Sequence, residues 1–428
     1  MSPVAALLIG LLVCLVMGMP VFIALGVASL IAFAMTDLPL TIIPTTIYQG
    51  MDQFSLLAIP MFILAGTIME RTGLTEDIVA VFLKIFGKMQ GGLGVATILS
   101  CMFFSSLNGS GPGTTAAVGS VMIPAMVRRG YGADYAGAVS ASGGTLGILI
   151  PPSNPMIIYG VLANVSIGAL FIAGFLPGLL IGAAQVFVAY FVARRANFGG
   201  TDESFSWSGV AGTVWRSKAA LAAPFVVLGG IYGGVFTPVE ASVIAVVYAI
   251  LAGRFVYNRL GMRTLYECVR AASATFGPIA MLIGTSLLFG KLLVLNHVPE
   301  VIVSFLTGIS SNSFVVILII CGFLLVIGMF METLSTIMIL TPILVPVLNS
   351  LHVDLIQFGV IFVVTNEVAF LTPPLGVNLF VAVSMARVPL ERLAWHVLPY
   401  VVAIVICLII IALYPGIATW LPQVLRSA

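Results

Sequence analysis

The sequence predicts an all-α polytopic membrane protein built from two inverted copies of one helical unit. Of its 428 residues, 61% are hydrophobic and 7% are charged, whereas soluble proteins carry about 25% charged residues. Apolar segments recur along the whole chain. Two of them are interrupted by proline pairs, in the stretches GILIPPSNP (147–155) and AFLTPPLGV (369–377).

Composition also excludes several classes of protein. A net charge of +2 gives no reason to expect nucleic-acid binding. The five cysteines lie far apart in apolar segments, which predicts neither a disulfide framework nor a metal site. We find no constellation of catalytic side chains, so we do not expect an enzyme.

The apolar segments are the candidate membrane helices, since a helix needs about 20 residues to cross a bilayer. The first segment is either one long helix or two short ones that turn at MGMP (17–20). The candidate spans are 4–35, 54–70, 134–163, 168–193, 219–235, 239–253, 271–295, 355–385 and 397–424.

Two further pairs of apolar segments are shorter: 92–107 with 113–127, and 312–329 with 333–349. Each pair surrounds a polar break, SSLNGSGPGTT or GMFMETLSTI. Short segments joined by a polar tip are typical of re-entrant hairpins. Two ordinary helical hairpins are the alternative.

The two halves of the chain are related by one constant difference in residue number, which we call the repeat offset. It places Thr114 on Thr336, Pro124 on Pro346 and Pro151-Pro152 on Pro373-Pro374. One offset without gaps therefore relates both the hairpins and the interrupted segments, and we interpret the chain as an internal duplication.

Basic residues indicate that the two copies are inverted, because Lys and Arg accumulate on the cytoplasmic side. The first hairpin is flanked by Lys84, Lys88, Arg128 and Arg129, while the second hairpin has no flanking Lys or Arg. After the interrupted segments the bias reverses, since only the second copy carries basic residues there, Arg387 and Arg392. Inverted repeats with broken helices predict a secondary transporter.

The proline pairs predict cation sites. Pro151 and Pro152 remove two backbone donors and would free carbonyls near residues 147–149, which are costly in hydrocarbon unless a cation or water meets them. Hard cations prefer such oxygens. The first hairpin tip adds side-chain oxygens, and the helix beginning near Gly113 points its positive end at the same region, which suits an anionic substrate. A passive kink is the alternative interpretation.

Two carboxylates lie within apolar sequence, Glu332 at the second hairpin tip and Glu367 five residues before Thr372. Intramembrane carboxylates are functional candidates by default. Each could face the substrate path or carry protons, or could be a structural carboxylate at a domain interface.

Four motifs, in order, resemble the large membrane subunit of tripartite ATP-independent periplasmic (TRAP) transporters. They are GSGPGTTAAVGSVMIPAMVRRGY (109–131), GILIPPSNPMIIYG (147–160), METLSTIMILTPILVPV (331–347) and LTPPLGVNLFVA (371–382). The resemblance covers essentially the whole chain. It implies an elevator-type permease of a bacterial inner membrane, a small four-helix membrane partner, a periplasmic binding protein that delivers an organic acid, and Na⁺ co-transport.

The resemblance also implies site residues. The first sodium site would comprise Ser105, Asn108, Gly147, Ile150 and Pro152, and the second would comprise Gly328, Ala369, Thr372 and Leu375. Asn108 departs from the serine expected at its position. We place substrate contacts at Ser110, Thr114, Glu332 and Asn366. The Gly-Pro form of the first hairpin favours the sialic-acid branch over the C4-dicarboxylate branch.

These interpretations give a division of the chain. We expect N-terminal scaffold helices in 1–83, a first transport-domain repeat in 84–165, and scaffold helices with cytoplasmic loops in 166–300. The division continues with a second transport-domain repeat in 301–386 and a C-terminal helix in 387–428.

A stand-alone dicarboxylate elevator symporter is the alternative function, and an ion channel is a further alternative. The sequence leaves open the delivered acid, the number of sodium ions per cycle and the oligomeric state.

Overall fold

The structure of the protein is a computed structural model that describes residues 2–36, 38–200, 206–310 and 312–427. These residues form helices joined by short connections. Among them, six helices are long and apolar enough to cross a membrane, or up to eight if two bent helix pairs each count as one span. The predicted all-α polytopic architecture is confirmed.

The N-terminal segment contains two short helices rather than one long helix. The chain turns at Gly18, which has a left-handed φ of 76° that glycine adopts without strain, and Pro20 precedes the second helix. The helices of this region are α1 (Pro3–Val16), α2 (Val21–Phe33), α3 (Ile42–Met51) and α4 (Ala58–Thr72), the last preceded by a 3₁₀ turn at Phe54–Leu57.

The first copy of the repeat follows. A hairpin of two helices leads into a helix that is broken at the proline pair, and a long helix closes the copy. Its helices are α5 (Leu74–Phe86), α6 (Gly92–Asn108), α7 (Gly111–Arg128), α8 (Ala133–Thr145), α9 (Asn154–Leu162) and α10 (Ile167–Arg195).

In the described part of the connection between the two copies, residues 206–295, the chain forms four helices. They are α11 (Trp207–Arg216), α12 (Lys218–Tyr232), α13 (Pro238–Leu251) and α14 (Met262–Leu295). α13 packs on α4, and α14 packs on α2, α3 and α4. Because α14 begins at Met262, the predicted span 271–295 is the C-terminal part of a longer helix.

The second copy repeats the arrangement of the first. Its helices are α15 (Val298–Ile309), α16 (Ser313–Gly328), α17 (Thr333–Ser350), α18 (Leu355–Phe370), α19 (Val377–Ala386) and α20 (Leu390–Leu413), and α21 (Gly416–Ser427) ends the chain. The repeat offset carries the range of α7 onto 333–350, which is the range of α17. The same offset places the first residue of α8 on the first residue of α18.

Hydrogen bonds between helices also follow the repeat. The Tyr135 hydroxyl at the start of α8 donates to the Ala189 carbonyl of α10 at 2.8 Å. At the equivalent positions, the Gln357 amide at the start of α18 donates to the Ile411 carbonyl of α20 at 3.1 Å. Different side chains thus tie each broken helix to the same point of the long helix that follows it.

The two broken helices form the centre of the molecule. Every residue of α8 from Tyr135 to Thr145 is buried, as is every residue of α18 from Gln357 to Phe370. The copies are linked there by the Asn378 amide of α19, which donates to the Ala141 carbonyl at 3.1 Å. The Tyr159 hydroxyl of α9 adds a second link by donating to the Leu355 carbonyl at 2.8 Å.

Several predicted boundaries are wrong. The span expected at 397–424 ends at Leu413, because Pro415 cannot continue the helix. The helices α3, α5, α11 and α15 were not predicted, because each is only 10 to 13 residues long and falls below the length of a candidate span.

The division into scaffold and transport parts stays a prediction. Its proposed boundaries at 83/84 and 300/301 fall inside α5 and α15. α5 packs on the first hairpin and also on α11 and α12, so it contacts both predicted parts.

Close packing of α7 on α8 generates a test of the fold. A methyl group at Gly144 would overlap the Thr115 hydroxyl oxygen and lie 3.0 Å from its backbone nitrogen. We expect Gly144→Ala to destabilise the protein by about 1–3 kcal/mol through overpacking, measured by thermal denaturation in detergent. Gly229→Ala is the control, because nothing lies within 4 Å of that position. Equal stability of the two variants would contradict the α7–α8 contact.

Candidate functional site

The tip of the first hairpin is a turn of two residues. α6 ends at Asn108, and Gly109 caps it with a φ of 63° while donating its N–H to the Ser105 carbonyl at 3.3 Å. Ser110 then starts α7, because its hydroxyl accepts the N–H of Gly113 at 3.3 Å. The tip therefore presents backbone and hydroxyl oxygens at the end of one helix and the start of the next.

The first proline break is partly capped by its own sequence. α8 ends at Thr145, and α9 begins at Asn154 after a 3₁₀ turn and the pair Pro151-Pro152. The Ser153 hydroxyl donates to the Ile148 carbonyl and accepts the N–H of Met156. One of the three carbonyls that we expected to be free is thus already paired.

The first hairpin tip sits directly on the first break. The Asn154 N–H donates to the Gly109 carbonyl at 3.4 Å. A methyl group at Gly109 would lie 2.6 Å from the Pro152 carbonyl oxygen, and one at Gly147 would lie 2.5 Å from the Ser110 carbonyl oxygen. Only glycine permits these close approaches, so backbone oxygens of the tip and of the break face each other.

A hydroxyl without a partner lies at this contact. Thr114 Oγ1 is buried and has no hydrogen-bond partner among the described residues, and it would lie 2.7 Å from a methyl group at Gly147. Buried polar atoms are nearly always paired. Together with the neighbouring Ser110 carbonyl, the orphaned hydroxyl forms an oxygen environment that fits a hard cation.

Three of the five residues predicted for the first sodium site lie at this contact. Gly147 and Pro152 face the tip, and Asn108 lies against it, since its amide nitrogen would be 2.5 Å from a methyl group at Gly113. The Ser105 hydroxyl donates to the Cys101 carbonyl. The Ile150 side chain packs on Gly178 of α10, away from the tip.

The second break makes an equivalent contact with the second hairpin. The Leu375 N–H donates to the Met329 carbonyl at 3.1 Å, and a methyl group at Gly328 would lie 2.7 Å from the Ala369 Cβ. The Thr372 hydroxyl donates to the Val368 carbonyl at 2.7 Å, which leaves its lone pairs available. The four residues predicted for the second sodium site are therefore brought together.

Both hairpin tips and both breaks border one cavity of about 290 Å³. Among the predicted substrate residues, Ser110 and Glu332 line it. Thr114 and Asn366 lie deeper, next to Gly147 and Gly328 respectively, where they accompany the predicted sodium-site residues.

Sequence reasoning missed five polar residues of the cavity wall. They are Thr67 and Glu70 of α4, Asn154 of α9, Thr275 of α14 and Thr333 of α17. A Gly-Thr pair occurs in both α4 and α14, as Gly66-Thr67 and Gly284-Thr285, at a separation slightly shorter than the repeat offset. It indicates that these two helices correspond, but which of their residues reach the cavity depends on how the helices pack.

Glu367 does not belong to this cavity. It is fully buried on α18, with no fractional exposure, and lies outside the residues that border the cavity. The expectation that it faces the substrate path therefore receives no support from the geometry.

The contact between the second tip and the second break can be tested by crosslinking. In a background without the five native cysteines, Gly328→Cys combined with Ala369→Cys should form a disulfide on mild oxidation, because the two Cβ atoms are adjacent. Gly322→Cys with Ala369→Cys is the matched control, since nothing lies within 4 Å of Gly322. The measurement is alkylation followed by mass spectrometry, and crosslinking of the control pair alone would contradict the arrangement.

Comparisons with known proteins agree with the motifs. Residues 8–417 match the family described as "Tripartite ATP-independent periplasmic transporter, DctM component". The chain is 32% identical over 451 residues to the C4-dicarboxylate TRAP transporter large permease protein DctM of Vibrio cholerae, covering 99% of this chain and 98% of the relative.

Two further relatives carry different substrate names. The isethionate TRAP transporter permease protein DctMQ of Oleidesulfovibrio alaskensis is 40% identical over 94% of this chain, which spans 64% of that relative's length. The sialic acid TRAP transporter permease protein SiaT of Haemophilus influenzae is 33% identical over 98% of this chain and 68% of its own length. The relatives are thus named for several different substrates, and sialic acid is one of them.

A solved structure shares the fold. The YdaH transporter of Alcanivorax borkumensis superimposes with a TM-score of 0.66, covering 97% of this chain and 98% of its own, at 14% identity. This similarity shows a transporter fold and carries no information on the substrate.

Proposed function

The chain belongs to the DctM component family of TRAP transporters, and on that premise we propose that it catalyses Na⁺-coupled uptake of a small organic acid. The acid is delivered by a periplasmic binding protein, and a small four-helix membrane subunit completes the transporter in the bacterial inner membrane. The observation that carries the proposal is the single cavity bordered by both hairpin tips and both proline breaks.

In this proposal, Na⁺ is held where each tip meets its break. The Ser110 carbonyl, the orphaned Thr114 hydroxyl and the backbone around Gly147 supply oxygens at the first contact. The Thr372 hydroxyl and the backbone near Gly328 and Ala369 supply them at the second. Such ligands suit a hard monovalent cation because they require no deprotonation.

The cavity favours a small anion. The N-terminus of α7 borders it at Gly111, Pro112 and Gly113, and a helix N-terminus attracts negative charge. Its volume of about 290 Å³ lies at the lower end of the roughly 300–1,000 Å³ typical of ligand pockets. Isethionate and C4-dicarboxylates, which are compact, fit that size better than a sugar acid.

Two carboxylates in the same wall, Glu70 and Glu332, oppose the binding of an anion. Cations bound beside the cavity offset this repulsion. Two opposite unit charges ~4 Å apart attract each other by about 4 kcal/mol at the effective dielectric constant of about 20 that applies near a protein surface. Binding of the acid is therefore expected to require sodium, which is the basis of co-transport.

We further propose an elevator movement. The tips and breaks are joined by backbone hydrogen bonds, so they travel as one rigid body against α4, α13 and α14. This movement exposes the cavity alternately to each side without separating the carbonyls from their partners, which would be costly in a membrane.

A hydroxyl that binds Na⁺ predicts opposite effects with and without the ion. Thr114→Val removes a buried, unpaired hydroxyl at nearly constant volume, so the sodium-free protein should be as stable as wild type or more so. Loss of one ligand should weaken Na⁺ binding by about tenfold, or about 1.4 kcal/mol. Thermal stability measured in a titration of NaCl against choline chloride checks both effects.

Ser120→Ala is the control for this titration. Its hydroxyl lies on the same helix and is paired with the Ala117 carbonyl at 2.8 Å. The control should keep the sodium response of wild type. A Thr114→Val variant with an unchanged sodium response would exclude this hydroxyl as a ligand.

The tripartite assembly predicts that this chain alone transports nothing. In liposomes, uptake should require the small subunit, the binding protein and an inward Na⁺ gradient, and we would measure it with isethionate, succinate and sialic acid. Uptake by the single chain would instead indicate a stand-alone symporter. Currents that do not saturate with substrate would indicate an ion channel.

A further inference from the structure

A second cavity, of about 460 Å³, lies between α3, α9, α14 and α17. Its polar lining residues are Thr46, Gln49, Gln53, Asn164 and Lys291. None of the described residues that line it is acidic, and Asp52 at the end of α3 lies outside its wall. The second cavity therefore presents a positive charge without a negative one, whereas the wall of the substrate cavity carries Glu70 and Glu332.

The two cavities lie at different levels of the same helices. On α14, Ile279 borders the substrate cavity and Leu287 borders the second cavity. On α17, Leu334 borders the substrate cavity and Pro342 borders the second one. In both helices these residues are about 12 Å apart along the axis, at a rise of 1.5 Å per residue.

Basic residues indicate which side of the membrane each cavity faces. Arg259, Arg263 and Arg270 lie just before and within the start of α14, while residues 296–312 beyond its end contain no Lys or Arg. Lys and Arg accumulate on the cytoplasmic side. The substrate cavity therefore lies toward the cytoplasm in this structure, and the second cavity lies toward the periplasm, from which the acid arrives in the proposed function.

A side-chain hydrogen bond holds Lys291 at the second cavity. Its ammonium group donates to the buried Thr46 hydroxyl of α3 at 3.2 Å. α3 is seated closely on α14 there, since a methyl group at Gly50 would overlap the Leu287 side chain. A lysine near the end of a membrane helix commonly extends to the lipid headgroups, but this bond ties the ammonium group to the cavity wall. The ion pairs of the described residues do not include Lys291, so its charge is available to a ligand.

We propose that the second cavity is an entry site, at which a small organic acid pairs with Lys291 before it reaches the substrate cavity. The carboxylate or sulfonate group of the acid accepts hydrogen bonds from the ammonium group, which has three donors, and the amides of Gln49 and Gln53 supply further donors. The identity of this ligand rests on the proposed function. Because no carboxylate in the wall opposes the anion, binding at the entry site does not require sodium, in contrast to binding in the substrate cavity.

The elevator movement explains how the acid leaves the entry site. α9 and α17 follow the first break and the second hairpin tip, so they belong to the moving body, while α14 belongs to the part against which it moves. An outward shift of about 12 Å, the axial separation of Ile279 and Leu287, brings the hairpin tips to the level of Lys291. The acid then passes from Lys291 to the tips within the protein.

Charged thiol reagents test the entry site on the full chain in nanodiscs of phosphatidylcholine, without any transport assay. In a background without the five native cysteines, Gln49→Cys places a thiol in the cavity wall. A methanethiosulfonate that carries a sulfonate group should modify it about tenfold more slowly once Lys291→Gln is added, since a cleft of one charge sign concentrates ions of the opposite sign. A reagent that carries a trimethylammonium group should react faster in the same variant.

Two further variants separate charge from structure. Lys291→Arg keeps the charge and should keep the rates of the Gln49→Cys protein. Lys218→Gln removes an equal charge outside both cavities and should change neither rate. Equal rates with and without Lys291→Gln for both reagents would overturn the proposal.

Protection by the acid shows whether the site binds it. In choline chloride without sodium, isethionate or succinate should slow the modification of Gln49→Cys, and this protection should be lost in Lys291→Gln but kept in Thr114→Val. Protection that requires sodium would overturn the entry site, as would slower modification that follows the addition of anionic lipid and not of the acids. Intact protection in a complete transporter that shows no sodium-dependent uptake would contradict the proposed function and leave the site standing.

Discussion

A helix broken inside a membrane must find partners for its backbone polar groups within the protein, and this constraint organises the whole molecule. Each proline break is met by a hairpin tip. The Gly109 carbonyl receives the N–H of Asn154 in the first copy, and the Met329 carbonyl receives the N–H of Leu375 in the second. Because the penalty for an unpaired group in hydrocarbon is several kcal/mol, separating a tip from its break is costly. In the proposed elevator movement, the hairpins, the breaks and the cavity between them therefore move as one unit.

Duplication preserved this geometry while the side chains that support it diverged. A tyrosine and a glutamine, Tyr135 and Gln357, donate to equivalent carbonyls at 189 and 411. The Ser153 hydroxyl caps the first break from within by pairing with the Ile148 carbonyl and the Met156 N–H. Its counterpart Leu375 has no such side chain, and its backbone N–H donates to the Met329 carbonyl of the second hairpin. Backbone positions are thus fixed by packing, whereas the choice of side chain is free wherever another group can satisfy the same atom. The two breaks are therefore alike in backbone geometry but differ in the side chains that support them.

The sequence alone predicted the architecture well, because broken apolar runs and the repeat offset are direct consequences of the fold. It failed where a feature depends on packing between distant segments. The helices α5 and α15 are only 13 and 12 residues long, so neither reaches the length of a candidate span. The sequence led us to expect a substrate contact at Thr114, but its hydroxyl lies beside Gly147, and Thr114 is not among the residues that border the cavity. Likewise, nothing in the local sequence around Glu70 or Thr275 indicates that they reach the cavity wall.

The position of the proposed cation site gives a physical route for coupling. Ser110 contributes to both sites, since its side chain borders the cavity while its carbonyl faces Gly147 beside the Thr114 hydroxyl. A cation held between Ser110, Thr114 and the break would fix the first turn of α7, which borders the cavity at Gly111 and whose N-terminus favours an anion. In the proposed mechanism, the entropy of ordering that turn is lost once, when sodium binds, and the acid then binds to a preformed site. Linkage is reciprocal, so the acid would strengthen sodium binding by the same factor. The proposed coupling therefore requires no distant conformational signal, because one helix turn belongs to both proposed sites.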